Sequence, residues 1–479
     1  MRRDQATSRS RRKDSPAAPR VLRFVADDGV VIEADARGRE QDPSVVLLHG
    51  GGQTRHAWSE AAQALSQTGF YVVAPDLRGH GRSGWSSDGD YSVARHASDL
   101  GVICRELGRQ PIVVGASLGG LTALVACGEA PQIPAATVVL VDVAHRAQAH
   151  GISRIMTFMR GHPNGFGAIE EAAAAVAAYL PRRAAPPDLS GLKNNLRLRE
   201  DGRWHWHWDP RLLDAFTDLR SAIPAEPRLL AAANAVPAPL VLVRGLLSDV
   251  VDETIAEELI TRVPGAQLVQ VSGAGHMVAG DKNDRFVHAI VPALRRASEQ
   301  ASETEGAVRA IERYGLFEPA QPNGHEEGYR TEGAHALRTA QRLGSWGVSP
   351  PLQRAAVAHA LYERVGPSAP EPLARDRLRR EIGSEAERLV YAYGSTDRSF
   401  GFPFALRGTR AVHRDRFTGE EEDLSVRDAR DLLSLSAASE VDHWLHGPGD
   451  LHDARARLES WLPRLPATAS ANVRALLSD

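Results

Sequence analysis

At 479 residues the chain is longer than one hydrophobic core usually organises, so two domains are expected. Hydrophobic residues make up 43% and charged residues 24%, a balance that fits soluble globular protein and excludes a low-complexity chain. A net charge of -3 gives no drive toward nucleic acid or an anionic membrane surface, and neither is expected as a partner.

Residues 1–20 are polar and Arg-rich without an apolar run, which reads as a disordered basic arm rather than a signal peptide. No stretch approaches the roughly 20 apolar residues needed to span a bilayer, and a cytoplasmic protein is expected. The two lone cysteines, Cys104 and Cys127, suit buried thiols in a reducing compartment. Residues 21–26 and 30–36 alternate around Asp27–Asp28–Gly29, the pattern of a hairpin. Continuous apolar runs at 44–49, 70–74, 111–114, 137–141, 239–243 and 266–271 predict strands buried on both faces of a parallel sheet. Helical periodicity at 58–67, 93–107 and 283–296 supplies the covering layers.

The alternation breaks at 145–236, a helical, Ala-rich insertion with prolines at 186–187. Within it, residues 203–210 read Arg-Trp-His-Trp-His-Trp-Asp-Pro; if extended, the tryptophans share one face and the histidines the other. His205 and His207 are candidate metal ligands without a third ligand nearby, and a packed aromatic edge is the preferred reading. Residues 297–306 are a linker by composition. Beyond them, helical stretches without buried strands predict an all-α domain over 307–479.

The chemistry centres on Pro111–Ile112–Val113–Val114–Gly115–Ala116–Ser117–Leu118–Gly119–Gly120. A β-branched run that stops at a glycine two residues before a serine predicts a strand turning sharply into a helix, with Ser117 at the apex. Gly115 and Gly119 must be small for strand and helix to approach, and the helix N-terminus favours developing negative charge. An activated serine needs a base, a group that orients the base, and oxyanion donors. His276 lies in the loop after the last strand and is the candidate base. Asp249, in the loop after strand 239–243, is the candidate acid, with Asp142 in reserve and Asp252 competing as a helix cap. The amides of Gly51, in His49–Gly50–Gly51–Gly52, and of Leu118 are the candidate oxyanion donors. His80, between glycines in 76–83, reads as structural. No cofactor and no metal is called for.

These four separated motifs, in this order over residues 21–296, resemble the α/β-hydrolase fold family. The resemblance implies an eight-stranded, mostly parallel sheet, a helical lid matching 145–236, and a Ser117–His276–Asp249 triad. Ser117 argues against the branches that use an aspartate nucleophile. The expected reaction is hydrolysis of a small-molecule ester, thioester or lactone through an acyl-enzyme. Two other readings use the same residues: non-hydrolytic chemistry such as perhydrolysis or cyclisation, and ligand binding without catalysis. Residues 325–435, with His335 and His359 on consecutive helices, faintly resemble the HD-type helical superfamily; the defining His–Asp pair is missing, since Ala360 follows His359. The histidines read as satisfied inside a helical domain whose partner the sequence does not name.

Overall fold

Alternating apolar patterns mark the two strands at one edge of the sheet, and continuous ones mark the strands of its buried centre. The computed structural model describes residues 18–478 apart from 109, 130–131, 181–188, 216–223, 264, 277–282, 314, 317–330, 363–374, 408 and 447–450. Most of the predicted basic arm and the prolines at 186–187 lie outside the described residues. The strands β1 (Arg20–Val25) and β2 (Val31–Arg37) form the hairpin, antiparallel from Arg20 opposite Ala36 to Val25 opposite Val31. There follow β3 (Ser44–Leu48), α1 (Ser59–Gln67), β4 (Tyr71–Pro75), α2 (Val93–Leu107), β5 (Ile112–Ala116), α3 (Leu118–Gly128) and β6 (Thr137–Val141). Every residue of β3, β4 and β6 is buried, as both-face coverage requires.

The insertion contains α4 (Ala149–Arg160), α5 (Ile169–Tyr179), a short hairpin of β7 (Leu196–Leu198) with β8 (Trp204–Trp206), α6 (Arg211–Ala215) and α7 (Glu226–Ala235). The sheet then closes with β9 (Leu240–Gly245), α8 (Glu253–Arg262) and β10 (Gln267–Val271). The strand order is β1-β2-β4-β3-β5-β6-β9-β10, parallel from β4 through to β10. Chain order reverses at β3, between β4 and β5. Ligands of open parallel sheets bind at such a switch point, beyond the strands' carboxyl ends. There β3 delivers His49–Gly50–Gly51–Gly52 and β5 delivers Ser117.

The expected linker at 297–306 is not one. Those residues lie inside α9 (Asn283–Arg313), a 31-residue helix. Its first half packs Phe286, Ile290 and Leu294 on the sheet, and its second half places Ala307, Val308 and Ile311 in a separate C-terminal core. Gly306 lies inside this helix as a close-packing residue: a Cβ there would lie 2.2 Å from the Glu381 carbonyl oxygen. The Glu, Gln and Ala around it are good helix formers, so composition did not oppose the helix.

The C-terminal region continues with α10 (Glu332–Ser345), α11 (Pro350–Ala358), α12 (Arg375–Ile382) and α13 (Ser384–Gly394). It ends with α14 (Val426–His446), α15 (Leu451–Trp461) and α16 (Ala467–Ser478). It is helical but not all-α. A three-stranded antiparallel sheet, β11 (Ala405–Arg407), β12 (Arg410–Arg414) and β13 (Glu421–Asp423), interrupts it. These strands are three to five residues long and mostly exposed, so they carry little apolar alternation. Thr331 Oγ1 donates to Gln132 Oε1 (3.0 Å) and Arg338 Nη1 to the Ala235 carbonyl (3.1 Å), fastening this region to the first domain. Among the described residues no helix is long and apolar enough to cross a membrane.

Candidate active site

Ser117 has φ +48° and ψ -115°, off the ordinary regions for an L-residue, between β5 and α3. The turn that holds it there works only with glycine on either side. A Cβ at Gly115 would lie 2.3 Å from the Gly119 carbonyl oxygen, and one at Gly119 would lie 2.5 Å from the Leu48 carbonyl oxygen. Both obstacles are backbone and cannot rotate away. Gly115→Ala is therefore expected to lower stability by about 3 kcal/mol or more, read from the urea midpoint; an unchanged midpoint would refute this packing argument.

Backbone hydrogen bonds set the ends of four strands side by side. Ser117 N donates to the Val141 carbonyl, Asp142 N to Val243, Leu246 N to Val271 and Leu247 N to Ala274. This brings Asp142, not Asp249, to the imidazole. His276 Nδ1 lies 2.8 Å from Asp142 Oδ2, and Asp142 is fully buried. Asp142 also accepts from Gly245 N (3.2 Å) and Ser248 Oγ (2.5 Å), and its own φ is +52°. An ionised carboxylate only accepts, so Nδ1 carries the imidazole proton and Nε2 keeps a free lone pair. The expected acid Asp249 is turned the other way: its carboxylate pairs with Arg154 Nη2 of α4 at 2.7 Å. Asp252 caps α8, its Oδ1 accepting from Ile255 N at 2.8 Å. Among the described residues no hydrogen bond joins the Ser117 hydroxyl to His276; such contacts commonly tighten only with substrate bound.

The oxyanion side follows from which amides are already used. Gly50 N donates to Gln53 Oε1 (3.0 Å) and Gly52 N to His80 Nε2 (3.1 Å). Gly51 N and Leu118 N, the latter in the unsatisfied first turn of α3, have no partner among the described residues. A Cβ at Gly50 would touch Ser117 Cβ at 3.3 Å, and one at Gly51 would lie 3.9 Å from Leu118 Cδ2. The glycine loop therefore passes close beside Ser117 and Leu118, with both amides unused among the described residues. Two bracing residues were not singled out by sequence patterning: Gln53, which holds the glycine loop through Gly50 N, and Ser248, which holds the Asp142 carboxylate, because both act through contacts that a spacing rule does not encode.

Three buried histidines hold this floor. His49 Nε2 accepts from Leu77 N (2.9 Å), His80 Nε2 from Gly52 N, and His207 Nδ1 from Gly81 N (2.7 Å). His207 thus reaches from the insertion into the 76–83 loop, while His205 pairs with Asp201 at 2.8 Å, so the two do not share a ligand. Trp206 and Trp208 stack at 5.1 Å, and Met159 and Trp208 rest on Gly52.

Burial holds His49 and His207 well below the usual imidazole value and lowers His80 to about 4 and His96 to about 3. Each accepting nitrogen must stay unprotonated. A lowered folded-state value means the unfolded chain binds more protons below pH 6.5, so stability falls as pH drops from about 6.5 toward 4. His80 alone contributes a loss of about 2 kcal/mol by pH 5. Melting temperature is expected to fall clearly between pH 7.5 and 5; a flat profile would count against neutral histidines here. Burial also pushes the Cys127 thiol up to about 12 and Cys104 well above its usual value, so both are inert.

In the C-terminal region His335 Nδ1 pairs with Asp442 (2.7 Å) and its Nε2 with Ser439 Oγ (3.1 Å). His359 Nδ1 donates to the Ala356 carbonyl at 2.6 Å, and burial lowers its imidazole to about 3. Both nitrogens of His335 are spoken for.

A family model described as alpha/beta hydrolase fold matches residues 43–282. Another, described as a domain of unknown function (DUF6817) and not as an HD-type phosphohydrolase, matches residues 319–398. The chain is 34% identical over 262 residues to Esterase Rv0045c of Mycobacterium tuberculosis, covering 52% of this chain and 81% of that protein. It is 28% identical over 251 residues to the 3-hydroxybutyrate-oligomer hydrolase of Cupriavidus necator, covering 50% and 84%. The solved structure of E-2-(acetamidomethylene)succinate hydrolase aligns with a TM-score of 0.51 at 22% identity, over 58% of this chain and 100% of that one, a likeness of fold alone.

Proposed function

The chain belongs to the α/β-hydrolase fold family, and from that premise we propose that it is a serine hydrolase cleaving small-molecule carboxylic esters through an acyl-enzyme. The observation that carries the reading is the 2.8 Å contact between His276 and the buried Asp142, at the sheet edge where the strained Ser117 emerges. Two relatives whose names state esterase or oligomer-hydrolase activity support the substrate class.

In this mechanism His276 Nε2 takes the Ser117 proton as the oxygen attacks the ester carbonyl. Asp142 holds the ring in the required tautomer and stabilises the imidazolium that forms. The Gly51 and Leu118 amides receive the oxyanion, each worth roughly 3 kcal/mol of barrier. The imidazolium gives its proton to the leaving alcohol. Water, activated by the same nitrogen, then releases the acid. Met159 and Trp208 against Gly52 favour an apolar acyl group.

A fluorophosphonate probe on the full chain tests the reading. Stoichiometric labelling mapped to Ser117, with turnover of short-chain aryl esters, is the expected result. A folded chain that neither labels nor hydrolyses any ester, thioester or lactone would overturn it.

A further inference from the structure

The loop after Asp142 carries a second histidine that the proposed hydrolytic machinery does not use. His145 is fully buried, and neither of its ring nitrogens has a hydrogen-bond partner. A buried imidazole whose nitrogens make no well-formed hydrogen bond carries a desolvation cost that the neighbouring Glu258 carboxylate offsets only in part. Its Nε2 faces Glu258 Oε1 at 3.4 Å, too long and poorly directed for a hydrogen bond. Glu226 completes the group: one ligand atom each from His145, Glu226 and Glu258 lie within 4.8 Å of one another.

We propose that His145, Glu226 and Glu258 form a divalent transition-metal site of the zinc type, separate from the Ser117 centre, that ties the Asp142 loop to α7 and α8. Ligands about 2.1 Å from a tetrahedral ion stand about 3.4 Å apart, the spacing between His145 Nε2 and Glu258 Oε1. One imidazole with two carboxylates is a donor set suited to zinc and its neighbours, with water completing the shell.

The charges around the group fit this use. Arg146 Nε and Nη2 both donate to Glu258 Oε2 (2.9 and 2.7 Å), orienting that carboxylate and leaving Oε1 turned to His145. Arg262 Nη1 reaches the same Oε1 at 3.4 Å from a side chain that is 53% exposed, so it can swing into solvent. Glu226 is the first residue of α7 and exposed, free to close on an ion. The competing histidines of the C-terminal region offer less, since both nitrogens of His335 are hydrogen-bonded.

The test uses tag-free full-length protein stripped with chelator, then titrated with Zn2+ and, for its visible absorption, Co2+. The expected result is one ion per chain, a melting temperature raised by Zn2+, and binding weakened at least tenfold in Glu226→Gln. That variant changes an exposed side chain and keeps the fold. Glu258→Gln should weaken binding likewise. Absence of binding up to millimolar ion would overturn the site. So would equal affinity in the wild type and both variants, which would place the ion elsewhere.

Discussion

Ser117→Ala is expected to lower kcat on any ester the wild-type chain cleaves by about 10^5- to 10^6-fold. The alanine keeps the turn, since the strained backbone is imposed by Gly115, Gly119 and the Leu48 carbonyl rather than by the hydroxyl. What disappears is the nucleophile. The oxyanion amides of Gly51 and Leu118 remain, so a residual rate of about 10^3 to 10^4 over water is expected. Steady-state kinetics, with circular dichroism to verify folding, measures the effect. Retention of more than one per cent of kcat in a folded variant would remove Ser117 from the mechanism.

Asp142→Asn is expected to reduce kcat about 10^4-fold, whereas Asp249→Asn should change it less than about threefold. The reason is the direction of three donors. Gly245 N, Ser248 Oγ and His276 Nδ1 all converge on the Asp142 carboxylate. An amide in its place has one oxygen for three donors and turns an NH2 group toward at least one of them. The imidazole then loses its acceptor, and the proton moves to Nε2, where a base is needed. Asp249 meets Arg154 instead, in a pair whose side chains are 41% and 29% exposed, worth no more than about 1 kcal/mol. Kinetics on both variants, with melting curves as a folding control, decides between the acids. Inactivation by Asp249→Asn with Asp142→Asn unaffected would return the role to Asp249.

The turn at Ser117, the hairpin at residues 20–37 and the parallel sheet were legible in the amino-acid order. Each depends on steric preferences acting within a few residues: small neighbours at a sharp turn, alternation at a solvent face, unbroken apolar runs between covering helices. The free amides at Gly51 and Leu118 belong to the same class, because a glycine loop and a helix start declare themselves locally.

The acid could not be chosen that way. Asp142 and Asp249 both follow buried strands, and only tertiary packing tells them apart: Asp142 turns to His276, 134 residues on, and Asp249 turns to Arg154, 95 residues back. Residues 297–306 likewise read as a linker by composition, although Gly306 packs against Glu381, and no spacing rule pairs His207 of the insertion with Gly81 N. Nearby residues determine backbone shape, because sterics act at short range. Which distant side chains meet is decided by how helices and loops pack around the sheet, and neither spacing nor composition carries that information.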